Sequence, residues 1–414
     1  MKIALTTLGC KLNYAETSTY ERGFLAHGLE VVPWNTPADV YLINTCAVTE
    51  TAEKKSRNLM RRAHKTAPLA PVIVTGCYAE LKKEKLLEIE GVARVFGARE
   101  KNRVVPETLA LLEGKTTEAP SEEILPAYSS GERTRSFLKV QDGCDNFCAY
   151  CTVPFARGRS RNIPICEVVM QARQIAAKGI REIVLTGVNT GDFGRSSGES
   201  FLDLLKALDA VEGIDRYRIS SIEPNLITEE IVDWIASGTK FQRHFHIPLQ
   251  TGSDTLLRKV GRRYDTALFA SRIDYIRRKM ERPGQPEVFF GIDVIVGLPG
   301  ETDELFMETY RFLKDRIRPA FLHVFPYSRR PGTRAAVMPD QVQDKVKTER
   351  IARLEALSSE LHEAFVAANK GLPEHVLWES SVKDGMMGGY TGNYIRVEKP
   401  YDPAWVNKIE EIVL

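Results

Sequence analysis

FLKVQDGCDNFCAYCTVPFARGRSRN, residues 137–162, sets Cys144, Cys148 and Cys151 at C-x3-C-x2-C spacing in a short loop. A strand-like segment, FLKVQ, leads in, and a basic run of Arg157, Arg159 and Arg161 leads out. Thiolates hold iron–sulfur clusters, and a four-iron cluster takes one ligand per iron. Three close cysteines with no local fourth leave one iron open to a small molecule. Zinc is the alternative, but its sites use paired Cys-x2-Cys or Cys/His sets, and no second pair lies nearby. Ligand type and spacing favour the cluster.

Upstream, KIALTTL, VYLIN (40–44), PVIVTG (71–76) and ARVFG (93–97) have the apolar, β-branched character of strands. Helical stretches fall between them, at roughly 14–28, 48–66 and 80–88. Such alternation predicts a doubly wound parallel sheet. Cys10, Cys46 and Cys77 follow the first, second and third of these strands, 36 and 31 residues apart, about one βα unit each. Open α/β sheets present ligands at the carboxyl ends of their strands, so the three thiols should converge. Unrelated buried cysteines are the plain alternative. Placement at three strand ends argues instead for a second cluster with an open iron. Residues 113–135, rich in Pro, Ser and Glu, read as a linker.

Downstream, REIVLTG (181–187), RYRISSIEP (216–224), RHFHIPLQ (243–250), EVFFGIDVIVG (287–297) and AFLHVFPY (320–327) join FLKVQ to make six strands. Helices such as 165–178 and 200–211 separate them, which predicts a partial (βα)6 barrel working at its strand ends. Asn189, Glu223, Gln250, Tyr327 and Ser328 stand there. Gly187 and Gly191 let backbone approach a ligand, whereas Gly291, Gly297 and Gly300 suit either a ligand or a Gly-Pro turn. No Gly-Lys-Ser/Thr follows them, which excludes a P-loop. His244 and His246 share one strand face and are expected to line the barrel, with no third metal ligand apparent. Cys166, at a helix start, reads as a packed or idle thiol. The three arginines could form a solvated face, but directly after the cysteine loop they are expected to grip phosphate. A helix over 341–369 follows, with Val342, Val346, Leu354, Leu357, Leu361 and Phe365 along one face. Short strands close the chain.

A length of 414 residues suits two or three domains, and 43% hydrophobic with 27% charged residues is ordinary for a globular protein. The net charge of +2 divides unevenly: residues 1–112 carry 16 basic and 12 acidic side chains, 113–370 carry 37 and 36, and the last 44 carry 4 and 7. No apolar run reaches the ~20 residues of a membrane span. The N-terminus reads as a strand rather than a signal peptide. Seven cysteines in so long a chain argue for metal or redox chemistry in a reducing compartment, with the cytoplasm expected.

Cys144, Cys148 and Cys151, with Tyr150 before the last, resemble the radical S-adenosylmethionine (SAM) superfamily. GCKLN, NTCAVT, TGCYAE, GCDNFCAYCTVPFARGRSR and HIPLQTGSD extend the resemblance to radical SAM methylthiotransferases, above all the branch acting on N6-threonylcarbamoyladenosine in tRNA. It implies four parts: a methylthiotransferase domain at 1–112, the linker at 113–135, a radical SAM domain at 136–370 and a TRAM-like RNA-binding β-barrel at 371–414. It implies two 4Fe-4S clusters, on Cys144, Cys148 and Cys151 and on Cys10, Cys46 and Cys77. SAM would meet Tyr150, Gly187, Asn189, Glu223, Gln250 and Gly297, and tRNA would meet Arg157, Arg159 and Arg161. One SAM would yield a 5′-deoxyadenosyl radical and another a methyl group, converting C2 of the base at position 37 of the anticodon loop to a methylthio carbon. A flavodoxin or ferredoxin would donate electrons. The acidic tail suits phosphate poorly, although Tyr390, Tyr394, Tyr401 and Trp405 could stack on bases or fill the tail's core. Another tRNA adenosine derivative, a ribosomal-protein aspartate, and a non-catalytic iron–sulfur carrier or RNA-binding protein stand as alternatives.

Overall fold

The first strand, β1 (Lys2–Thr7), joins a wholly parallel sheet with β2 (Glu30–Val32), β3 (Val40–Thr45), β4 (Val72–Gly76) and β5 (Val92–Phe96). The structure, a computed structural model, describes residues 1–115, 124–131 and 134–414. Helices α1 (Lys11–Ala26), α2 (Glu50–Thr66), α3 (Cys77–Leu81), α4 (Lys83–Leu87) and α5 (Val104–Leu112) cover this sheet. Its order is β2-β1-β3-β4-β5, so the connections reverse direction between β1 and β3, and a crevice opens at that switch point. The sequence reading missed β2, three residues on the sheet's edge with little alternation to betray them. Cys46 and Cys77 therefore follow the third and fourth strands, not the second and third.

The second domain begins with β6 (Arg135–Lys139), a two-residue ribbon of β7 (Gln141–Asp142) with β8 (Arg161–Asn162), and α6 (Val153–Arg157) between the ribbon's strands. Then follow α7 (Ile165–Ala177), β9 (Glu182–Thr186), α8 (Phe201–Asp209), β10 (Arg216–Ile219), α9 (Glu229–Ile235), β11 (His244–Gln250), α10 (Asp254–Val260), α11 (Thr266–Met280), β12 (Phe289–Val296), α12 (Asp303–Arg311) and β13 (Phe321–Pro326). Strands β10-β9-β6 and β11-β12-β13 form parallel halves, joined by bridges from Tyr217 to Phe241 and from Ser221 to His246. The six expected barrel strands are all present. Alternation decides their faces. Phe245, Ile247 and Leu249, like Phe290, Ile292 and Val294, pack outward in the core, which turns His244, His246 and Asp293 inward.

Where the linker is described it is built into the fold. Tyr128 bridges Leu138 antiparallel to β6, Ala127 and Ser129 are buried, and Leu125 packs on the first domain. The rest of the expected linker, 116–123 and 132–133, lies outside the described residues. Helix α1 packs against β6, with Tyr14 edge-on to Phe137 at 5.8 Å.

Helix α13 (Asp344–Asn369) lies along β13 and buries Leu354, Leu357, Leu361 and Phe365, as expected. The tail, β14 (Pro373–Lys383), β15 (Met386–Thr391), β16 (Arg396–Pro400) and β17 (Ile409–Val413), is an antiparallel half-barrel of TRAM type in the order β16-β15-β14-β17. It seats on the amino ends of the barrel strands. Arg218 donates to the Thr391 and Gly392 carbonyls at 2.7 and 2.9 Å while paired with Glu182 at 2.8 Å. Arg216 donates to the Tyr390 and His375 carbonyls. Tyr390 and Tyr394 stack on each other at 4.8 Å within this joint, under Arg135 and Arg218, and so join domains instead of facing bases. Trp405 packs in the tail's core with Lys399 over its ring, and Tyr401 alone of the four aromatics is exposed.

Candidate active site

The β7–β8 ribbon forms a neck that closes the cysteine loop, pairing Gln141 with Asn162 and Asp142 with Arg161. Gly143 has φ +78°, and a Cβ there would lie 2.0 Å from the Arg159 carbonyl, so no other residue fits. Within the loop the Cys144 amide donates to Gly158, the Ala149 amide to Val260, and the Val153 amide to Cys151 Sγ at 3.4 Å. Arg262 clamps the far side. Its Nη1 donates to Cys148 Sγ at 3.3 Å and its Nη2 pairs with Glu223 at 2.9 Å, while Asn146 donates to the same carboxylate. Tyr150 is half-buried beside Arg262. Gln141 Oε1 accepts from the Val188 and Asn189 amides, and Asn189 Oδ1 accepts from the Glu223 amide. The cysteine loop, Val188, Asn189 and Glu223 thus form one hydrogen-bonded group, and Gly187 lies against Gln141, where an added Cβ would come within 2.9 Å of Oε1. Gln250 and Gly297 stand at or just beyond the ends of β11 and β12 with φ of +71° and +78°. Lys347 of α13 covers the open face of Gly297.

The second triad gathers at the switch point. Cys10 caps α1, Cys46 follows β3 and Cys77 begins α3. Two glycines make the approach possible. A Cβ on Gly9 would lie 2.9 Å from Cys46 Cβ, and one on Gly76 2.3 Å from the Thr45 carbonyl; both have φ above +100°. Burial pushes the Cys46 thiol up to about 11, with Cys77 and Cys10 adding to the rise, and burial likewise raises Cys77. In the first triad burial lifts Cys144 to about 11 and Cys151 to about 12. Such thiols ionise when a metal takes the place of the proton. Among the described residues, the ligand atoms of His246, Asp293 and His323 lie within 4.8 Å of one another.

Between the triads lies a buried ion cluster that the sequence did not disclose. Arg157 is 2% exposed. Its Nε donates to Cys77 Sγ at 3.2 Å, its Nη1 to Asp142 at 2.8 Å and Glu16 at 3.3 Å, and its Nη2 to Asn13 at 2.6 Å. Lys101 and Lys139 also bind Glu16, at 2.7 and 3.0 Å, and Lys139 reaches Asp142 at 2.8 Å. Burial would raise Glu16, but Lys101, Lys139 and Arg157 hold it down at about 2. Three cations face two carboxylates, and the surplus positive charge lies against Cys77. An anionic thiolate cluster there would be matched. Arg157 is consequently no phosphate ligand: its guanidinium is enclosed and its donors are engaged. Arg159, with its side chain 84% exposed, faces solvent, and half-buried Arg161 turns back to the Arg157 carbonyl.

Residues 2–97 match the model of the uncharacterized protein family UPF0004, and residues 138–313 match that of the radical SAM superfamily. The chain is 40% identical to the threonylcarbamoyladenosine tRNA methylthiotransferase MtaB of Bacillus subtilis, over 99% of this chain and 93% of that protein. It belongs to the radical SAM tRNA methylthiotransferases. The methylthiotransferase is also 35% identical to the protein of the same name from Aquifex aeolicus, over 90% and 91% of the two chains. It is 33% identical to a tRNA-2-methylthio-N(6)-dimethylallyladenosine synthase of Nitratidesulfovibrio vulgaris, over 91% and 85%. Among solved structures, the radical S-adenosylmethionine methyltransferase TsrM of Kitasatospora setae shares its fold, with a TM-score of 0.60 at 16% identity over 81% and 77% of the chains. A radical SAM cluster and SAM come with this family.

The methylthiotransferase barrel is lined by residues the sequence left unconnected. His246 Nε2 lies 2.6 Å from Asp293 Oδ1, and the His323 ring sits 4.8 Å from that of His246. Asp293 and His323, one and two strands away, thus give His246 the ligand-type partners that the sequence did not show, while His244 stays outside the group. His244 itself stacks on Phe289 at 5.2 Å. Cys166, in the first turn of α7, is exposed. A cleft of about 970 Å3 opens at the barrel floor among Arg181, Arg243 and Glu374 and includes neither triad. No helix among the described residues is long and apolar enough to cross a membrane.

Proposed function

We propose that this enzyme replaces the C2 hydrogen of N6-threonylcarbamoyladenosine, at position 37 of the tRNA anticodon loop, with a methylthio group. The observation that carries the reading is the meeting of two cysteine triads, from separate sheets, across the single ion cluster of Arg157, Glu16 and Asp142. The names of the MtaB relatives support the choice of base. Cys144, Cys148 and Cys151 would hold the cluster that binds SAM, and Cys10, Cys46 and Cys77 a second four-iron cluster. When bound, these groups supply the one-electron chemistry and methyl donation that an unactivated ring carbon requires. The chain's own residues do the rest. Arg262, Glu223 and Asn146 lock the first loop; Tyr150, Gly187, Asn189, Gln250 and Gly297 border the SAM position; Arg157 supplies the charge that faces the second triad.

Single-stranded loops suit such a site, because an unstacked base can enter a protein pocket. Exposed Arg159, and Arg161 beside it, would meet the backbone phosphates that position the loop. The division at 1–112, 113–135, 136–370 and 371–414, an electron donor of flavodoxin or ferredoxin type, and work in the cytoplasm complete the proposal. Nucleoside analysis by mass of tRNA from cells with and without the gene tests it. Loss of the methylthio derivative of N6-threonylcarbamoyladenosine is expected. Unchanged tRNA, or a change confined to ribosomal protein, would reject it.

A further inference from the structure

Among the described residues, Lys11 is a cation that no carboxylate pairs. Among the described residues, the buried cations are paired with carboxylates: Lys101, Lys139 and Arg157 with Glu16, Arg216 and Arg218 with Glu182, and Arg350 with Glu301. Lys11 is different. It begins α1 directly after Cys10, remains solvent-accessible, and makes no hydrogen bond or ion pair with any described residue. Its ammonium lies 5.9 Å from the ring centre of Phe137 on β6 and within electrostatic reach of Tyr394, of the cations Arg135 and Arg218, and of Asp293 and His323 on β12 and β13. The side chain therefore enters the barrel lumen from the first domain. The lumen wall facing it is polar as well, being formed by the His246–Asp293 pair with His323 against it.

We propose that the lumen is the receptor for the N6 substituent of the modified adenosine, with Lys11 binding its carboxylate. The inference rests on the substrate reading above and deepens it. Adenine carries C2 and its N6 group on ring carbons separated by N1, with their exocyclic bonds diverging, so a base whose C2 faces the triads can direct the substituent into the adjoining lumen. A threonylcarbamoyl group offers the complements found missing there: a carboxylate for Lys11, and a hydroxyl and urea for the His246–Asp293 pair and His323. An apolar dimethylallyl group offers none. It would cover a cation and a carboxylate without replacing the water they lose, which is costly. Selection between the two substrate classes then follows from rejection as much as attraction.

The test is equilibrium binding of anticodon stem-loops to the cluster-loaded enzyme without reductant, so that the readout is affinity rather than turnover. The probes are one RNA with the threonylcarbamoyl group and one with a carboxamide in place of its carboxylate. Wild type should bind the carboxylate RNA about tenfold or more tighter, the worth of a charge-assisted contact. Lys11→Met should erase that preference by weakening only the carboxylate RNA, and Lys11→Arg should retain most of it. Equal binding of both RNAs by wild type would overturn the inference, whatever the variants do. A preference that persists in Lys11→Met would overturn it too. If wild type instead binds and modifies a dimethylallyl stem-loop and ignores the threonylcarbamoyl one, the substrate reading itself fails and takes this inference with it. Normal modification of the threonylcarbamoyl RNA with no carboxylate preference sinks the lumen assignment alone.

Discussion

Arg157→Met removes a guanidinium from four acceptors at once: Asp142, Glu16, Asn13 Oδ1 and Cys77 Sγ. In metal-free protein the loss is limited. Lys101 and Lys139 still face Glu16 and Asp142, two charges against two. Only Asn13 Oδ1 and the Cys77 thiol lose the arginine with no lysine to replace it. At roughly 1–1.5 kcal/mol for each such bond, the cost is about 2–3 kcal/mol. With Cys77 ionised in a cluster, the same change also removes the surplus positive charge opposite a buried anion. Stripping one partner from a buried ion pair costs ~3–5 kcal/mol. The variant should therefore lose more stability in the loaded form than in the metal-free form. At ~2–4 °C per kcal/mol for a unit of this size, the metal-free melting temperature should fall by about 5–10 °C, and the loaded one further. Anaerobic thermal unfolding of both forms, with iron content measured alongside, reads this out. An equal or smaller loss in the loaded form would refute the charge-matching argument.

Arg159→Ala, in contrast, should leave both melting temperatures within error and lower the salt slope of tRNA binding by about one; an unchanged slope would remove Arg159 from the RNA path. Anaerobically reconstituted wild type should hold about eight irons, two clusters of four. Replacing Cys10, Cys46 and Cys77 with Ala should leave about four irons and retained cleavage of SAM to 5′-deoxyadenosine, but no methylthiolated tRNA. Replacing Cys144, Cys148 and Cys151 should abolish cleavage. Product from the first triple variant, or 5′-deoxyadenosine from the second, would reverse the assignment of the triads. At the tail joint, burial would raise Glu182, but Arg218, Arg135 and Arg216 hold it below the usual carboxylate range. A depressed carboxylate contributes stability that is fully present above its unfolded pKa, about 4.3, and is lost as pH falls from there through the folded value. Proteolytic sensitivity of residues 373–413 should therefore rise in acid, and Glu182→Gln should raise it at neutral pH and flatten its acid dependence. An acid profile identical to wild type would exclude Glu182 as the latch.

Some of this was legible in one dimension because it is local. Cys144, Cys148 and Cys151 lie within eight residues of chain, so their spacing alone limits what they can bind. The barrel strands are long apolar runs between helices, and alternation along RHFHIPLQ already put His244 and His246 on the face opposite Phe245 and Ile247. Strand ends at Cys10, Cys46 and Cys77 foretold convergence, since parallel strands send their carboxyl ends the same way. The arginine run shows where such reading stops. Arg157 and Arg159 are two residues apart and alike in every local respect, yet one is sealed against Glu16, 141 positions earlier, and the other lies in water. Helix α6 packs on α3, with Ala156 in the core of the first domain, and that contact carries Arg157 inside. The same holds for Asp293 and His323, which join His246 only because β11, β12 and β13 pair side by side. A charge survives burial only beside an opposite charge. Partners supplied by distant segments exist only once the chain has folded, so the tertiary structure decides which ionic residues bind substrate and which hold the domains together.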